Sequence, residues 1–229
     1  MNIQKENAML QVRSLFDEMS QVVLHQLDLL EKLINSNSIT IPDELMAMIN
    51  ANESRIDQFE ISISEEIIDI IVLQKPVASE LRQVMALYQM VSNLERIGDS
   101  VMNITRFIPR IKDIDVYSKM SEVITNMLIA SVSMVQKSIL SFVAGDKNEA
   151  IWAIKNDVVV DEMNHKLIRK AITKGNFSEE TQHLLFTFIQ LNSIISTIER
   201  IADHATNIAE ASIYAIEGRD LRHQKDIDE

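Results

Sequence analysis

Apolar residues recur along this chain at the three-to-four-residue spacing of amphipathic helices, and most of the few prolines and glycines fall between these segments. The β-branched run Ile67–Val72 lacks the alternation of a strand and lies inside a long helical period. The pattern therefore predicts an all-α fold of six helices, each of about 25–35 residues. They are expected at roughly Leu10–Leu33, Pro42–Leu73, Pro76–Phe107, Tyr117–Ala144, Lys147–Thr173 and Ser178–Gly218.

One phrase occurs twice, 104 residues apart. NLERIGDSVMNI, at Asn93–Ile104, returns as TIERIADHATNI at Thr197–Ile208. Residues of the preceding predicted helix match at the same offset, since Glu53 and Asp57 correspond to Asp157 and Asp161. Two copies of a three-helix unit are the simplest account of this repeat. We therefore divide the chain into a first repeat (1–110), a second repeat (111–220) and a polar tail (221–229).

The repeated phrase carries an acidic stripe. Glu95, Asp99 and Asn103 follow one another at i, i+4 and i+8, well away from the apolar face of the third helix. Glu53 and Asp57 lie on a similar flank of the second helix, so the two helices are predicted to direct carboxylates into a shared groove. Like charges at this spacing destabilise a helix by a few tenths of a kcal/mol per pair. Their duplication suggests that positive charge compensates them.

The residues alone leave two interpretations of the acidic stripe open. Carboxylate and amide oxygens are ligands of hard or borderline divalent cations, so the stripe is a candidate cation site. Alternatively it is an exposed acidic face whose charge is balanced internally. In that case Arg96 would pair with Asp99, and Arg200 with Asp203, each at i, i+3.

Composition limits the remaining function classes. The net charge is -12, from 34 acidic and 22 basic residues, so most of the surface would repel nucleic acid and anionic membranes. The absence of cysteine excludes disulfides and thiolate metal sites. The N-terminus lacks the pattern of a signal peptide, and no unbroken apolar run approaches the ~20 residues of a membrane span. We expect a cytoplasmic protein without membrane insertion, whose partners are cations or basic surfaces.

The segment QKPVASELRQVMALYQMVSNLERIGDSVMNI (Gln74–Ile104) resembles the signature of the PhoU family, the bacterial regulators of phosphate uptake. The ending IERIADHATNIAEASIYAIEGRDLRH (Ile198–His223) is similar to that family's second repeat. The resemblance implies two three-helix bundles related by pseudo-two-fold symmetry, assembled as a homodimer. It also implies a regulator, not an enzyme. Such a regulator restrains the ATPase of the phosphate ABC transporter and quiets its sensor histidine kinase when phosphate is plentiful.

The same resemblance implies metal ions, such as iron, zinc, manganese or magnesium, on outward-facing E/DxxxD motifs. Asn103 and Asn207, one turn beyond, are possible auxiliary ligands. Carried over to this chain, the motif positions are Glu53 with Asp57, Glu95 with Asp99, Asp157 with Asp161, and Glu199 with Asp203.

One departure from the repeat is Arg82, whose counterpart in the second repeat is Phe186; we interpret Arg82 as a surface ion-pair residue. His204, beside Asp203, is interpreted as an exposed histidine, with a role at a cation site as the alternative. The rival function is a metal-dependent helical-bundle enzyme or a general metal-binding protein. It would use the ExxH pairs Glu162 with His165 and Glu180 with His183.

Overall fold

The computed structural model describes the backbone of residues 3–171 and 179–221, and the side chains of residues 3–163 and 183–221. Six α-helices account for nearly all of the described chain, and no strand occurs in it, which confirms the predicted all-α fold. The helices are α1 (Ile3–Asn35), α2 (Asp43–Asp69), α3 (Ser79–Phe107), α4 (Ile114–Ala144), α5 (Lys147–Ala171) and α6 (Glu179–Glu217).

The starts of α1 and α4 differ from the predicted ones. Helix α1 begins at Ile3, seven residues before Leu10, because the apolar spacing continues in a more polar form towards the N-terminus. Helix α4 begins at Ile114, where the Asp113 carboxylate caps it by accepting a hydrogen bond from the Val116 N–H at 3.0 Å. The predicted ends and caps at Thr173, Gly175 and Ser178 lie outside the described residues.

The sequence prediction was also wrong at the turn between α2 and α3. Pro76 was expected in the first turn of α3, but this helix starts three residues later, at Ser79. A π-helical turn, Ile70–Gln74, follows α2, and Lys75 then takes a left-handed conformation with φ 47°. Proline disfavours the right-handed helical conformation in the residue before it, so the chain must turn before α3 can begin. The Glu80 carboxylate supports the turn by accepting from the Val77 N–H at 3.2 Å.

The helices form two three-helix bundles, α1–α3 and α4–α6, with one continuous apolar core. Helices α3 and α6 pack against each other along an extensive seam between the bundles, and α1 also contacts α4. A side-chain contact ties the linker between the bundles to α6: the Thr187 hydroxyl accepts from the Lys112 N–H at 3.1 Å and from the Asp113 N–H at 2.9 Å. The two copies of the repeated phrase, Asn93–Ile104 and Thr197–Ile208, therefore lie on α3 and α6, the two central helices.

Within the described part of the chain, α4 is long and apolar enough to cross a membrane by length and composition. It packs on α1, α5 and α6, and its inward face, which includes Met127, Leu128 and Met134, is fully buried. This is the setting of a core helix, which passes the same test of length and composition.

Candidate functional site

The acidic residues of the first repeat meet in the groove between α2 and α3. Glu53 is half-buried there, and Gln26 from α1 donates its Nε2–H to Glu53 Oε2 at 2.8 Å and to the Gly98 carbonyl at 3.3 Å. Gly98 allows this approach: a Cβ at position 98 would lie 3.1 Å from Glu53 Oε2 and 3.1 Å from Ile56 Cδ1. All three helices of the bundle therefore position the Glu53 carboxylate.

Burial and neighbouring carboxylates both shift the pKa values of these acids. Burial raises the pKa of Glu53 to about 7; the Gln26 hydrogen bond opposes the rise, while Asp57, Asp99 and Glu95 add to it. Burial, followed by the charge of Asp99, also raises the pKa of Glu95 to about 6. The interactions cross from α2 to α3, so the two predicted carboxylate pairs form one group. We call Glu53, Asp57, Glu60, Glu95 and Asp99 the first acidic cluster.

The second repeat has the equivalent group between α5 and α6. We call Asp157, Asp161, Glu199 and Asp203 the second acidic cluster. Burial, then the charges of Asp203 and Asp161, raises the pKa of Asp157 to about 6. Burial, then Asp161, also raises the pKa of Asp203. The Thr206 hydroxyl lies beside Asp157 and opposes its shift, but Asp157 Oδ1 is buried without a hydrogen-bond partner among the described residues.

The two asparagines proposed as auxiliary ligands contact other side chains. Asn103 accepts from Arg106 Nη1 at 3.3 Å. Asn207 donates to Asn93 Oδ1 at 3.3 Å, across the seam between α6 and α3. The prediction that they supplement the acidic clusters stays a prediction, because each would have to exchange this contact for a cation.

His204 lies in the seam and is not the exposed residue that the sequence suggested. It is half-buried, and its Nδ1 lies 2.9 Å from Asn93 Oδ1. Burial, together with the charges of Arg96 and Arg200, lowers its pKa to about 4. The sequence interpretation was wrong because neither the apolar pattern nor the repeat shows which helix packs against this face of α6.

Internal neutralisation of the acidic stripes is not observed. In the described part of the chain, neither Arg96 with Asp99 nor Arg200 with Asp203 comes within ion-pair distance. Arg200 instead donates from Nη2 to the Thr197 hydroxyl at 3.0 Å. The two arginines moderate the pKa values of neighbouring carboxyls without closing on them. Asp99 and Asp203 are therefore not neutralised by the arginines three residues before them.

Arg82 was interpreted as a surface ion-pair residue, and this was wrong. Its half-buried guanidinium packs over the end of α6, so that a Cβ at Gly218 would lie 3.1 Å from Arg82 Nε. The Nε is buried without a hydrogen-bond partner in the described residues. Arg82 thus packs across the contact between the two repeats.

As the side chains stand, the clusters are not closed coordination shells. No group of three or more His, Asp and Glu side chains in the described residues is arranged closely enough to hold a metal ion. The donor chemistry nevertheless suits a hard cation, because both clusters are carboxylate-rich, and in the second cluster Asp157 Oδ1 is buried without a hydrogen-bond partner among the described residues. Asp57 and Asp99 are exposed and free to change rotamer.

The sequence analysis missed two members of the site. Gln26 lies on α1, where it interrupts the buried apolar face between Val23 and Leu27, and this interruption is the signal that could have found it. Glu60 faces Glu95 from α2 and contributes to its raised pKa. It continues the acidic stripe at i+7 from Glu53, but its counterpart in the repeat is Asn164, so the comparison of the repeats hid it.

Stability should depend on pH through Glu53. Its pKa is raised from 4.5 to about 7 on folding, so the native state binds more protons than the unfolded chain between these values. The contribution of Glu53 to the unfolding free energy should therefore fall as pH rises from about 4.5 to about 7, and stay constant above. His204 acts in the opposite direction, since its lowered pKa makes stability fall as pH drops from 6.5 towards about 4.

A Glu53→Gln variant replaces the titrating carboxyl group with a neutral amide, so comparison with the wild type reports the contribution of this carboxyl alone. The measurement is the thermal midpoint of both proteins across this pH range, in chelator. The stability of the wild type relative to Glu53→Gln should decline as pH rises through the window. A difference that does not change with pH would show that the Glu53 pKa is not raised in the native state.

Comparison with known proteins adds to this geometry. The PhoU domain family matches the chain twice, at residues 16–108 and 119–212. An Aquifex aeolicus protein named phosphate-specific transport system accessory protein PhoU homolog is 32% identical over 213 residues, which cover 90% of each chain. A Burkholderia protein of the same name is 32% identical over 174 residues, covering 75% of this chain and 73% of the relative.

Solved structures agree in fold. The crystal structure of PhoU from Pseudomonas aeruginosa superposes with a TM-score of 0.76 at 23% identity, over 93% of this chain and 99% of the other. The phosphate transport system regulatory protein PhoU from Streptococcus pneumoniae gives a TM-score of 0.80 at 23% identity, over 94% and 98%. At this identity the likeness supports the two-bundle fold and nothing finer.

Proposed function

The chain belongs to the PhoU family, and from this membership we propose that it restrains the phosphate ABC transporter and keeps the associated sensor histidine kinase quiet when phosphate is plentiful. Its general role is that of a regulatory accessory protein of phosphate transport. The alternative of a metal-dependent enzyme was wrong, because the relatives within this family are named accessory proteins of phosphate transport. Among the ExxH residues proposed for such an enzyme, His165 and Glu180 have side chains outside the part of the chain whose side chains are described.

We infer that regulation proceeds through protein–protein contact. The names of the relatives refer to a transport system, which supports a partner in that system. The strongly acidic surface suits basic patches on such a partner. The test is co-purification of the full chain with the transporter ATPase and, separately, with the sensor kinase, at low and high phosphate. Retention of either partner supports the proposal, and binding to neither at any phosphate concentration contradicts it.

The cation part of the proposal is supported by one observation: each repeat brings its acidic pairs together across two helices. The i, i+3 arginines, Arg96 and Arg200, form no ion pair with Asp99 or Asp203. We propose that both clusters bind iron, zinc, manganese or magnesium ions as structural or sensory elements. A bound cation would turn a surface that repels phosphate into one that accepts phosphate or an acidic side chain of a partner.

Removing one acid from each cluster tests the cation sites. Glu95→Ala with Glu199→Ala should lose most of the metal that the wild type carries when both are purified without chelator. Elemental analysis measures this, and Glu18→Ala with Glu122→Ala, at two exposed positions outside the clusters, is the control. A wild type that remains metal-free after incubation with each ion would refute cation binding and leave the partner contacts as the basis of regulation.

Homodimer formation and a cytoplasmic location complete the proposal. Both are consistent with a regulator that approaches a transporter from the side of its ATPase. Light scattering coupled to gel filtration decides the first, and fractionation of cells expressing the full chain decides the second. A monomer at all concentrations, or recovery outside the cytoplasm, would contradict the respective proposal.

A further inference from the structure

The seam between α3 and α6 opens into a recess of about 430 Å³, near the start of α3 and the end of α6. Protein pockets that hold ligands measure about 300–1,000 Å³, so the recess has room for a side chain of a partner. We call it the seam recess. No residue of either acidic cluster lines it. Its walls are formed by Met85, Gln89 and Asn93 from α3 and by Asn207, Glu210 and Tyr214 from α6.

Hydrogen bonds hold the polar wall of the seam recess in place. Asn93 Oδ1 accepts from Asn207 Nδ2 at 3.3 Å and lies 2.9 Å from His204 Nδ1. The Asn93 amide nitrogen donates to the Gln89 carbonyl at 2.8 Å. A surface that is already ordered loses less conformational freedom when a partner binds.

The chain after α6 closes one end of the seam recess. Gly218 ends the helix in a left-handed conformation with φ 74°, and Leu221 is buried against the core. Asp220, between these two residues, lines the recess. The turn and the buried leucine therefore fix the place of the Asp220 backbone.

The charge of the seam recess is negative. Glu210 and Asp220 line it, and no Lys or Arg does among the described residues. A guanidinium or ammonium group pairs with carboxylates, donates to amide oxygens and stacks on aromatic rings such as that of Tyr214. The seam recess therefore suits a basic side chain.

An exposed apolar stripe continues from the seam recess along α3. Leu81, Met85 and Tyr88 follow one another at i, i+4 and i+7, and all three are exposed. Val77, in the turn before α3, is exposed as well. Met85 belongs to both the stripe and the recess. Adjoining apolar residues of this kind mark contact surfaces, and amphipathic helices cover them with side chains at the same spacing.

The other end of the seam has the opposite charge. Helices α3 and α6 run antiparallel, so the end of α3 is the counterpart of the end of α6 in the repeat. At the offset of 104 residues, Glu210 corresponds to Arg106 and Tyr214 to Arg110, and both arginines are exposed. Because like charges repel, a basic segment is attracted to the acidic end of the seam and not to its counterpart.

We propose that the seam recess and the apolar stripe together bind a basic amphipathic helix of a protein partner. Apolar side chains of this helix cover the stripe, and an arginine or lysine beside them enters the recess. The inference rests on the proposed function, since it assigns the surface through which the regulator contacts a partner. The surface includes no acidic-cluster residue, so binding requires no cation.

The first experiment measures the chemistry of the surface. The chelator-treated full chain is titrated into a labelled synthetic helix that has leucines at i, i+4 and i+7 and arginines beside them, and fluorescence anisotropy reports binding. A second peptide has glutamate in place of each arginine. We expect the basic peptide to saturate at one per chain and the acidic peptide not to bind. No binding of the basic peptide, or equal binding of both, would overturn the inference.

Matched variants locate the bound peptide. Met85→Asn should weaken binding at least about tenfold, as truncation of a central interface anchor does. Ile189→Asn, at the equivalent position of the second repeat, is the control and should change nothing, since these two side chains are similarly exposed, at 39% and 49%. Equal effects of the two substitutions would overturn the assignment to this end of the seam. If circular dichroism shows that Met85→Asn does not fold, Tyr88→Ala replaces it with the same expectation.

The charge of the recess is tested separately. Glu210→Gln should weaken the basic peptide at least about tenfold, because it removes one of the two lining carboxylates. Glu122→Gln, at an exposed position on α4, lowers the net charge equally and should have no such effect. If the two variants bind alike, only the overall charge attracts the peptide, and the recess has no specific part in binding.

A second copy of this chain is the rival occupant, since the Arg106 end of one seam is complementary to the acidic end of another. Sedimentation velocity distinguishes them. A wild-type dimer that dissociates in Glu210→Arg but persists in Glu122→Arg would overturn the inference, because a second copy would then cover the surface. We expect the oligomeric state to be the same in both variants.

Co-purification separates the inference from the proposed function. If the wild type retains the transporter ATPase or the sensor kinase, Met85→Asn should lose it and Ile189→Asn should keep it. Retention by all three proteins would overturn the inference and leave the proposed function in place. Retention of neither partner by the wild type refutes the proposed function, whereas the peptide titration still decides whether the surface binds a basic helix.

Discussion

Replacing Ile56 by Ala is expected to lower the free energy of unfolding by about 2–5 kcal/mol. Ile56 is fully buried on α2 and lies between Glu53 and Asp57, with its side chain against Gly98 of α3. Deleting three carbons there removes apolar contacts and leaves a cavity that the two helices can fill only in part. Because both flanking acids move with this turn of α2, cation affinity of the first cluster should fall as well.

Urea denaturation followed by circular dichroism measures the loss of stability. Ile61→Ala is the matched control, since Ile61 is on the same helix but 59% exposed, and its change should stay within about 0.5 kcal/mol. If Ile56→Ala cost no more than Ile61→Ala, the tight contact between α2 and α3 would not exist in solution.

Gly98→Ala is expected to destabilise the protein by about 1–3 kcal/mol, despite the higher helix propensity of alanine. The added methyl group would lie 3.1 Å from both Glu53 Oε2 and Ile56 Cδ1, so α2 and α3 must separate or Glu53 must leave its place beside Gln26. The second repeat accepts Ala202 at the same position, opposite the shorter Asp157. We therefore expect the loss of stability in Gly98→Ala to depend on the length of the acidic side chain at position 53.

A double-mutant cycle tests this dependence. Adding Glu53→Asp to Gly98→Ala should recover part of the lost stability, because the shorter carboxylate withdraws from the new methyl group while the contact with Ile56 remains. Denaturation of the wild type, both single variants and the double variant provides the coupling free energy. Additive losses, with no coupling between the two positions, would show that Glu53 does not pack on Gly98.

The acidic motifs show which features of the site can be predicted from the spacing of residues along a helix. Spacing alone placed Glu95 and Asp99 on one flank of α3, and Glu53 and Asp57 on the flank of α2 that shares their groove, and the structure brings the two pairs together. The same reasoning could not decide whether arginines neutralise them. An i, i+3 ion pair is permitted by helix geometry, but the rotamer that an arginine adopts depends on neighbours such as Thr197.

The errors at Pro76, Arg82 and His204 have a common cause. Proline and charged side chains were assigned from their own helix or turn, whereas their conformations depend on a second element. Pro76 follows a π-helical turn, Arg82 packs on the end of α6, and His204 contacts Asn93 across the seam. Each of these partners lies on another segment, and in two cases more than a hundred residues away.

The sequence by itself determined the all-α class, the order of the helices, the two-fold repeat and the acidic residues that belong together. These features follow from the 3.6-residue period, from proline and glycine, and from repeated spacing, all of which act over a few turns of chain. Only the tertiary structure decided that Gln26 reaches from α1 to Glu53 and that Gly98 leaves room for the Glu53 carboxylate. Contacts between distant segments depend on how helices pack, and no local period in the sequence encodes which side chains meet there.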